Sequence, residues 1–182
     1  MGRVRCFFCL PLAPELKKEI AAWIAANRAA ISGVRWVAEA DLHVTLRFCG
    51  EIPQAAAQPL GDRAKNLLAE RCAAPLRLTL RETGTFGRPP RVLWAGLGGD
   101  TAALARLNAL IEGACRDAGL PPDDRKFSPH LTLARMGASR GGANRRRWTP
   151  CVRGSSPGAA GRPVARFSCA AASRPQGRAM SR

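Results

Sequence analysis

The sequence HVTL at residues 43–46 returns as HLTL at residues 130–133, and these two tetrads contain both histidines of the chain. Side chains alternate between the two faces of a β-strand, so the histidine and the threonine of each tetrad share one face. The aliphatic residues of the tetrads point to the other face. At average residue usage, a threonine two residues and a leucine three residues after both histidines would occur by chance on the order of once in ten thousand times. We therefore expect two related strands, each presenting a histidine and a threonine.

Hydropathy patterns outside the tetrads predict an alternation of strands and helices. Short apolar or alternating runs predict strands, and apolar residues at helical spacing predict helices. The predicted strands cover residues 4–10, 34–37, 43–49, 76–81, 92–97 and 130–136, and the predicted helices cover about 14–29, 53–72 and 101–118. This order indicates a single α+β domain over residues 1–136, with two related halves of about 1–73 and 74–136 and with helices packed outside the sheet.

Residues 137–182 differ from the rest of the chain in composition. They contain arginine but no lysine, no acidic residue, no leucine and no isoleucine, and they consist mostly of Gly, Ala, Ser, Pro and Arg. Such a composition offers little apolar surface to bury. Two interpretations stay open: a disordered basic arm for nucleic acid, or a tail translated from a displaced reading frame.

The overall charge and the cysteines narrow the classes of protein. Lys and Arg number 29 against 13 Asp and Glu, which gives a net charge of +16 and favours polyanionic partners. No apolar run is long enough to cross a membrane, and we expect no signal peptide. An odd number of scattered cysteines does not indicate a disulfide framework. We therefore expect a cytoplasmic protein without membrane association.

Two imidazoles flanked by hydroxyls suit an in-line displacement at phosphorus that uses no metal. If the halves pair around a pseudo-twofold axis, His43, Thr45, His130 and Thr132 converge on one cleft. One histidine takes a proton from the attacking hydroxyl and the other gives a proton to the leaving oxygen, because an ordinary pKa near 6.5 allows either state near neutrality. The threonines can donate hydrogen bonds to the phosphoryl oxygens. Arg47 shares the predicted face and either contacts the substrate or is only solvated.

The two histidines have two other interpretations. Both could be structural residues on strands, although the duplication of the tetrad argues against this. A zinc site needs three or four ligands, and no metal-ligand spacing accompanies the nearby Asp41, Asp123 and Asp124. We therefore expect no metal.

Aromatic and basic residues near the tetrads are candidates for holding a base or a phosphate. Phe127 is the aromatic residue that we expect to contact substrate, since unpaired RNA bases commonly stack on aromatic rings. Trp23, Trp36 and Trp94 are expected in the core from their positions in a helix and in strands. Arg135 is expected on the face opposite His130 if its strand is regular.

The tetrads and their surroundings resemble the two-histidine (2H) phosphoesterases. Within that group the sequence is most similar to the bacterial RNA 2',3'-cyclic phosphodiesterases, also called 2'-5' RNA ligases. The stretches that carry the resemblance are VRWV at 34–37, LHVTLRFCG at 42–50, RVLWAG at 91–96 and FSPHLTLAR at 127–135. The resemblance spans residues 3–136 and does not extend into the tail.

The resemblance implies a bilobal fold with a central cleft and a defined reaction. RNA ending in a 2',3'-cyclic phosphate, or a related cyclic nucleotide, would be hydrolysed to a 2'-phosphomonoester without metal or other cofactor. His43 would protonate the departing 3' oxygen, His130 would accept a proton from water, and 2'-5' ligation is the reverse reaction. We expect the protein to act as a monomer. The alternative hypothesis is a non-catalytic RNA-binding module that uses the basic C-terminal arm.

Overall fold

The computed structural model describes residues 2–31, 33–71 and 76–136. Both interpretations of the tail at 137–182 therefore concern residues outside the described ranges. Within these ranges no helix is long and apolar enough to span a bilayer.

The described chain forms strands and helices in the predicted order. The strands are β1 (Arg3–Pro11), β2 (Val34–Trp36), β3 (His43–Pro53), β4 (Leu78–Phe86), β5 (Val92–Gly99) and β6 (His130–Met136); the α-helices are α1 (Pro14–Asn27), α2 (Gln54–Arg71) and α3 (Thr101–Asp117), and a 3₁₀ turn covers Glu39–Asp41. Strand β3 continues past the predicted end at Cys49, because Gly50 adopts a φ of 71° beside a bulge. Strand β4 continues to Phe86, beyond the predicted alternating run.

All strands join one antiparallel sheet of order β1-β3-β6-β5-β4. Strand β2 pairs with the end of β6, at Met136, Arg135 and Ala134. Strand β6 therefore has β5 along one edge and β3 followed by β2 along the other. The predicted α+β class is confirmed. Strands β1 and β3, on one side of the β3–β6 junction, precede the predicted boundary near residue 73, and β6, β5 and β4, on the other side, follow it. That the two halves are related stays a prediction.

One hydrophobic core lies between the sheet and the helices. Each helix buries an apolar stripe at helical spacing, as in Leu16, Ile20 and Ile24 of α1. Alternate strand residues such as Val44 and Leu131 complete this core from the sheet. The other sheet face is left for the histidines and threonines of the tetrads.

Bulges interrupt the strand pairing at four described positions, three of which lie in β3 and β6. Leu46 and Cys49 are extra residues in β3 relative to β1, since Phe8 pairs with Arg47 and Cys9 pairs with Thr45. In the same way, one extra residue interrupts β6 relative to β5. An extra residue shifts every following side chain to the opposite face. The bulges therefore change which residues of β3 and β6 face the helices.

Candidate active site

The two tetrads lie side by side in the sheet. Strands β3 and β6 are antiparallel, with Val44 opposite Leu131, the second residue of each tetrad. In this register His43 faces Thr132 and His130 faces Thr45, and directly opposite residues share a sheet face. Diagonal neighbours such as the two histidines are about 7–8 Å apart in such a pair. The predicted convergence of the four side chains thus agrees with the strand register.

Each imidazole is oriented by a backbone carbonyl two residues before it. Nδ1 of His43 is 2.6 Å from the Asp41 oxygen, and Nδ1 of His130 is 2.7 Å from the Ser128 oxygen. A carbonyl oxygen only accepts hydrogen bonds, so Nδ1 carries the proton in each ring. The remaining nitrogen, Nε2, is the atom that accepts a proton in the neutral ring and donates it in the charged one.

The environment of His43 lowers the pKa of its imidazole below the ordinary value. Burial is the largest cause, and the positive charges of Arg135 and Lys17 act in the same direction. The hydrogen bond and negative charge at Asp41 oppose this effect. In the free protein His43 is therefore neutral over more of the neutral pH range.

Arg47 does not lie on the open face, so that expectation is wrong. The bulge at Leu46 turns its side chain toward the core, where Arg47 is only 6% exposed. Its guanidinium forms ion pairs with Glu112 and Asp123 and donates to the Pro121 carbonyl at 2.6 Å. Arg47 is therefore a structural residue that ties β3 to α3 and to the loop after it.

Arg135 occupies the face that the sequence assigned to Arg47. The extra residue in β6 is Leu133, since Leu93 pairs with Ala134 and Trp94 pairs with Thr132. The expectation that Arg135 points away from His130 assumed a regular strand and is wrong. Two consecutive buried residues, Leu133 and Ala134, precede the exposed Arg135. Its effect on the pKa of His43 also indicates that the guanidinium is close to the tetrads.

Aromatic rings contact both histidines. Phe7 stacks on His43 with ring centroids 5.1 Å apart, and Phe86 meets His130 edge to face at 4.9 Å. Neither residue is predicted from the sequence, because both contacts depend on strand pairing. Phe127 is half-buried and packs against the core, and its role as a substrate contact stays a prediction.

The predicted core tryptophans divide into two groups. Trp23 and Trp36 pack against the hydrophobic core as expected. Trp94 instead lies opposite Thr132 and stacks on Phe86 at 5.2 Å, so its placement in the core is wrong. Leu93 and Ala95, on either side of Trp94, are buried, so the alternation along β5 turns the Trp94 ring to the open face.

One of the acidic residues named for a metal site, Asp123, pairs with arginine instead. Asp123 accepts hydrogen bonds from Arg125, at 2.8 Å from Nε and 3.0 Å from Nη2. These bonds are the main cause that lowers the pKa of Asp123. Over the ranges 2–31, 33–71 and 76–136, no group of three or more His, Cys, Asp and Glu side chains is placed to hold a metal ion.

Several proteins with curated names are similar to this chain. The RNA 2',3'-cyclic phosphodiesterase of Aeropyrum pernix is 37% identical over 109 residues, which are 59% of this chain and 60% of that protein. The enzyme of the same name from Geobacillus stearothermophilus is 35% identical over 74% of this chain and 43% of its own length. The Escherichia coli protein is 33% identical over 72% of this chain and 71% of its own length. The alignments thus span less than two thirds of the first two relatives.

Solved structures and a family comparison agree with the geometry. Crystal structures of Escherichia coli LigT, in apo form and complexed with 3'-AMP, match with TM-scores of 0.59; the apo form is 29% identical and covers 76% of both chains, and the complex is 28% identical and covers 77% of both. The sequence model of the 2'-5' RNA ligase superfamily matches residues 15–148. Together with the paired tetrads, these similarities establish that the chain belongs to the 2'-5' RNA ligase superfamily.

Proposed function

We propose that this protein hydrolyses the 2',3'-cyclic phosphate at the end of an RNA to a 2'-phosphomonoester. The observation that carries the proposal is the pairing of Val44 with Leu131, which puts two histidines and two threonines on one sheet face. The names of the relatives, RNA 2',3'-cyclic phosphodiesterase, support the same chemistry. The LigT structure complexed with 3'-AMP supports a nucleotide ligand.

In the proposed reaction two protons move between the histidines and the reacting oxygens. Nε2 of His130 takes a proton from water as the water oxygen bonds to phosphorus. The bond from phosphorus to the 3' oxygen breaks, and Nε2 of His43 gives a proton to that oxygen. The products are a 2'-phosphomonoester and a free 3'-hydroxyl. If the 5'-hydroxyl of a second RNA takes the place of water, the same steps open the cyclic phosphate and form a 2'-5' linkage.

Neighbouring side chains hold the charge that develops on the phosphoryl oxygens. Thr45 and Thr132 supply hydroxyl donors from the same sheet face. Arg135 supplies a positive charge near His43, and a guanidinium can donate two hydrogen bonds to a phosphoryl group. This assignment replaces Arg47, whose donors are taken up inside the protein.

Hydrolysis in the presence of a chelator tests the proposal. The substrate is a short RNA with a 2',3'-cyclic phosphate end, in excess EDTA, and the product is resolved as a 2'- or 3'-phosphomonoester. Formation of the 2' product supports the proposed enzyme. RNA binding without turnover would instead support the non-catalytic RNA-binding module.

The expected oligomeric state and location form part of the proposal. We infer a monomer, because the four tetrad side chains of the proposed site come from one chain. Light scattering coupled to size-exclusion chromatography checks this point. A cytoplasmic location fits a substrate class made inside cells, and fractionation of the producing cells tests it.

A further inference from the structure

An exposed aromatic pair lies next to His130 at the end of the β4–β5 hairpin. Phe86 is 38% exposed, and among the described residues it is the large hydrophobic side chain that is exposed to solvent. It stacks on Trp94, with ring centroids 5.2 Å apart and an angle of 28° between the planes. Its ring also contacts His130 at 4.9 Å and 86°. The pair therefore joins a solvent-exposed apolar surface directly to the proposed active site.

The indole of Trp94 is held rigidly beneath Phe86. Trp94 pairs with Thr132 on one side and with Gly84 on the other. A Cβ at Gly84 would collide with the Trp94 ring, so the ring lies flat against the backbone of β4. Nε1 of Trp94 is buried without a hydrogen bond, a condition that packing alone does not favour. A rigid indole under a phenyl ring forms a preorganised stacking surface.

The charges around the pair suit an anionic ligand. The hairpin carries Arg81, Arg88 and Arg91 and only one acidic residue, Glu82. Arg88 and Arg91 are exposed and flank the turn that follows Phe86. Aromatic rings interleaved with arginine are the usual composition of a single-stranded nucleic acid site.

We propose that Phe86, supported by Trp94, stacks against the base of the nucleotide that carries the cyclic phosphate. The inference rests on the proposed function, because it takes the phosphorus to lie beside His130. In such a nucleotide the base is bonded to C1', next to C2', whose oxygen is bonded to phosphorus. The terminal base is therefore the first base within reach of a ring that touches His130. Stacking tolerates every base, so we expect acceptance of all four with a preference for purines.

The experiment compares two substrates in EDTA, adenosine 2',3'-cyclic phosphate and 1-deoxyribofuranose 2,3-cyclic phosphate, which lacks the base. The KM of the wild type should be about 5- to 150-fold lower for adenosine 2',3'-cyclic phosphate than for the compound that lacks the base. Phe86→Leu should abolish this preference, and Phe86→Tyr should retain it because the ring is kept. Phe127→Leu tests the other aromatic candidate, and the preference should survive it if the base stacks on Phe86. Thermal melts check that each variant is folded.

Three outcomes would overturn the inference. A wild type without any preference for the nucleoside contradicts it. An equal loss of kcat on both substrates in Phe86→Leu, with the preference for the base unchanged, would show that Phe86 only supports His130. Loss of the preference in Phe127→Leu but not in Phe86→Leu would assign the base to Phe127.

A second measurement separates this inference from the proposed function. If the wild type hydrolyses neither substrate, the proposed function fails, and calorimetry then compares adenosine 2'-monophosphate with 1-deoxyribofuranose 2-phosphate. Tighter binding of the nucleotide that is lost in Phe86→Leu supports the stacking surface. Equal affinities in the wild type overturn it.

Discussion

At the scale of single residues, His43 and His130 have the same local geometry although they lie far apart in the chain. In each, Nδ1 is bound to the carbonyl two residues earlier. This bond selects the tautomer with a free Nε2, so both rings present the same nitrogen to the open face. Their different surroundings, Phe7 against Phe86, then distinguish the two rings.

Removing either imidazole should abolish most of the activity. We expect His43→Ala and His130→Ala each to lower kcat on the cyclic phosphate by about 100- to 10,000-fold, because each removes one proton-transfer group. Both side chains are only half-buried, so circular dichroism and thermal melting should show a folded protein. Two active variants would disprove the acid and base assignment.

The pKa of His43 should respond to ligand charge. In the free protein its titration midpoint should lie below the ordinary 6.5, because burial disfavours the charged ring. A bound adenosine 2'-monophosphate should raise it, since the phosphate stabilises the imidazolium. Titration by NMR is direct, because the chain has two histidines and His130→Ala leaves one signal. A free-protein midpoint at or above 6.5 would contradict the role of burial.

The same shift has a consequence for stability. The unfolded chain binds a proton near pH 6.5, whereas folded His43 binds it only at lower pH. The contribution of His43 to stability is therefore present above that pH and is lost as the pH falls through the window below it.

Replacing Arg135 should weaken catalysis without unfolding the protein. We expect Arg135→Ala to lower kcat/KM by about 10- to 150-fold, the effect of losing a hydrogen bond to a charged group. It should also raise the pKa of His43, because a positive charge that lowers this pKa is removed. Arg116→Ala is the matched control, since Arg116 is an exposed arginine in the last turn of α3. Similar kinetics for both variants would remove Arg135 from the site.

At the scale of elements, the bulges decide which arginine is structural. The extra residue in β3 turns Arg47 toward α3, and the extra residue in β6 turns Arg135 outward. Regular strands would have placed the two side chains the other way round. The pairing of each bulged strand with its partner thus decides which arginine reaches the open sheet face.

Loss of the buried ion pairs of Arg47 should destabilise the fold. Arg47→Met leaves Glu112 without its ion-pair partner and leaves Asp123 with Arg125 alone. Because these carboxylates are 20% and 23% exposed, we expect a loss of about 2–3 kcal/mol in the free energy of unfolding. The control is Arg63→Met, which breaks an ion pair with Asp117 that is more than half exposed and should cost less than about 1 kcal/mol. Urea unfolding measures both. Equal losses would contradict the structural role of Arg47.

At the scale of the whole molecule, the net charge of +16 should appear as a salt dependence. An RNA oligonucleotide interacts with many basic residues, whereas a nucleoside cyclic phosphate carries a single charge. We expect kcat/KM for the RNA to fall by at least about tenfold between roughly 50 and 200 mM salt, with a much smaller change for the nucleoside. An equal fall in kcat/KM for the two substrates would show that basic residues outside the proposed site do not contact RNA.

Local sequence patterns predict the strands and helices, the shared face of each histidine and threonine, and the α+β class. Those properties are written in local periodicity, because residues two apart in a strand point the same way whatever the partner. The pairing of distant strands is what places Val44 opposite Leu131, buries Arg47 while Arg135 is exposed, and brings Phe86 to His130. A bulge is a mismatch between two paired strands, and a ring contact across the sheet joins distant segments. Neither can be derived from one strand alone, since both depend on which strand becomes the neighbour.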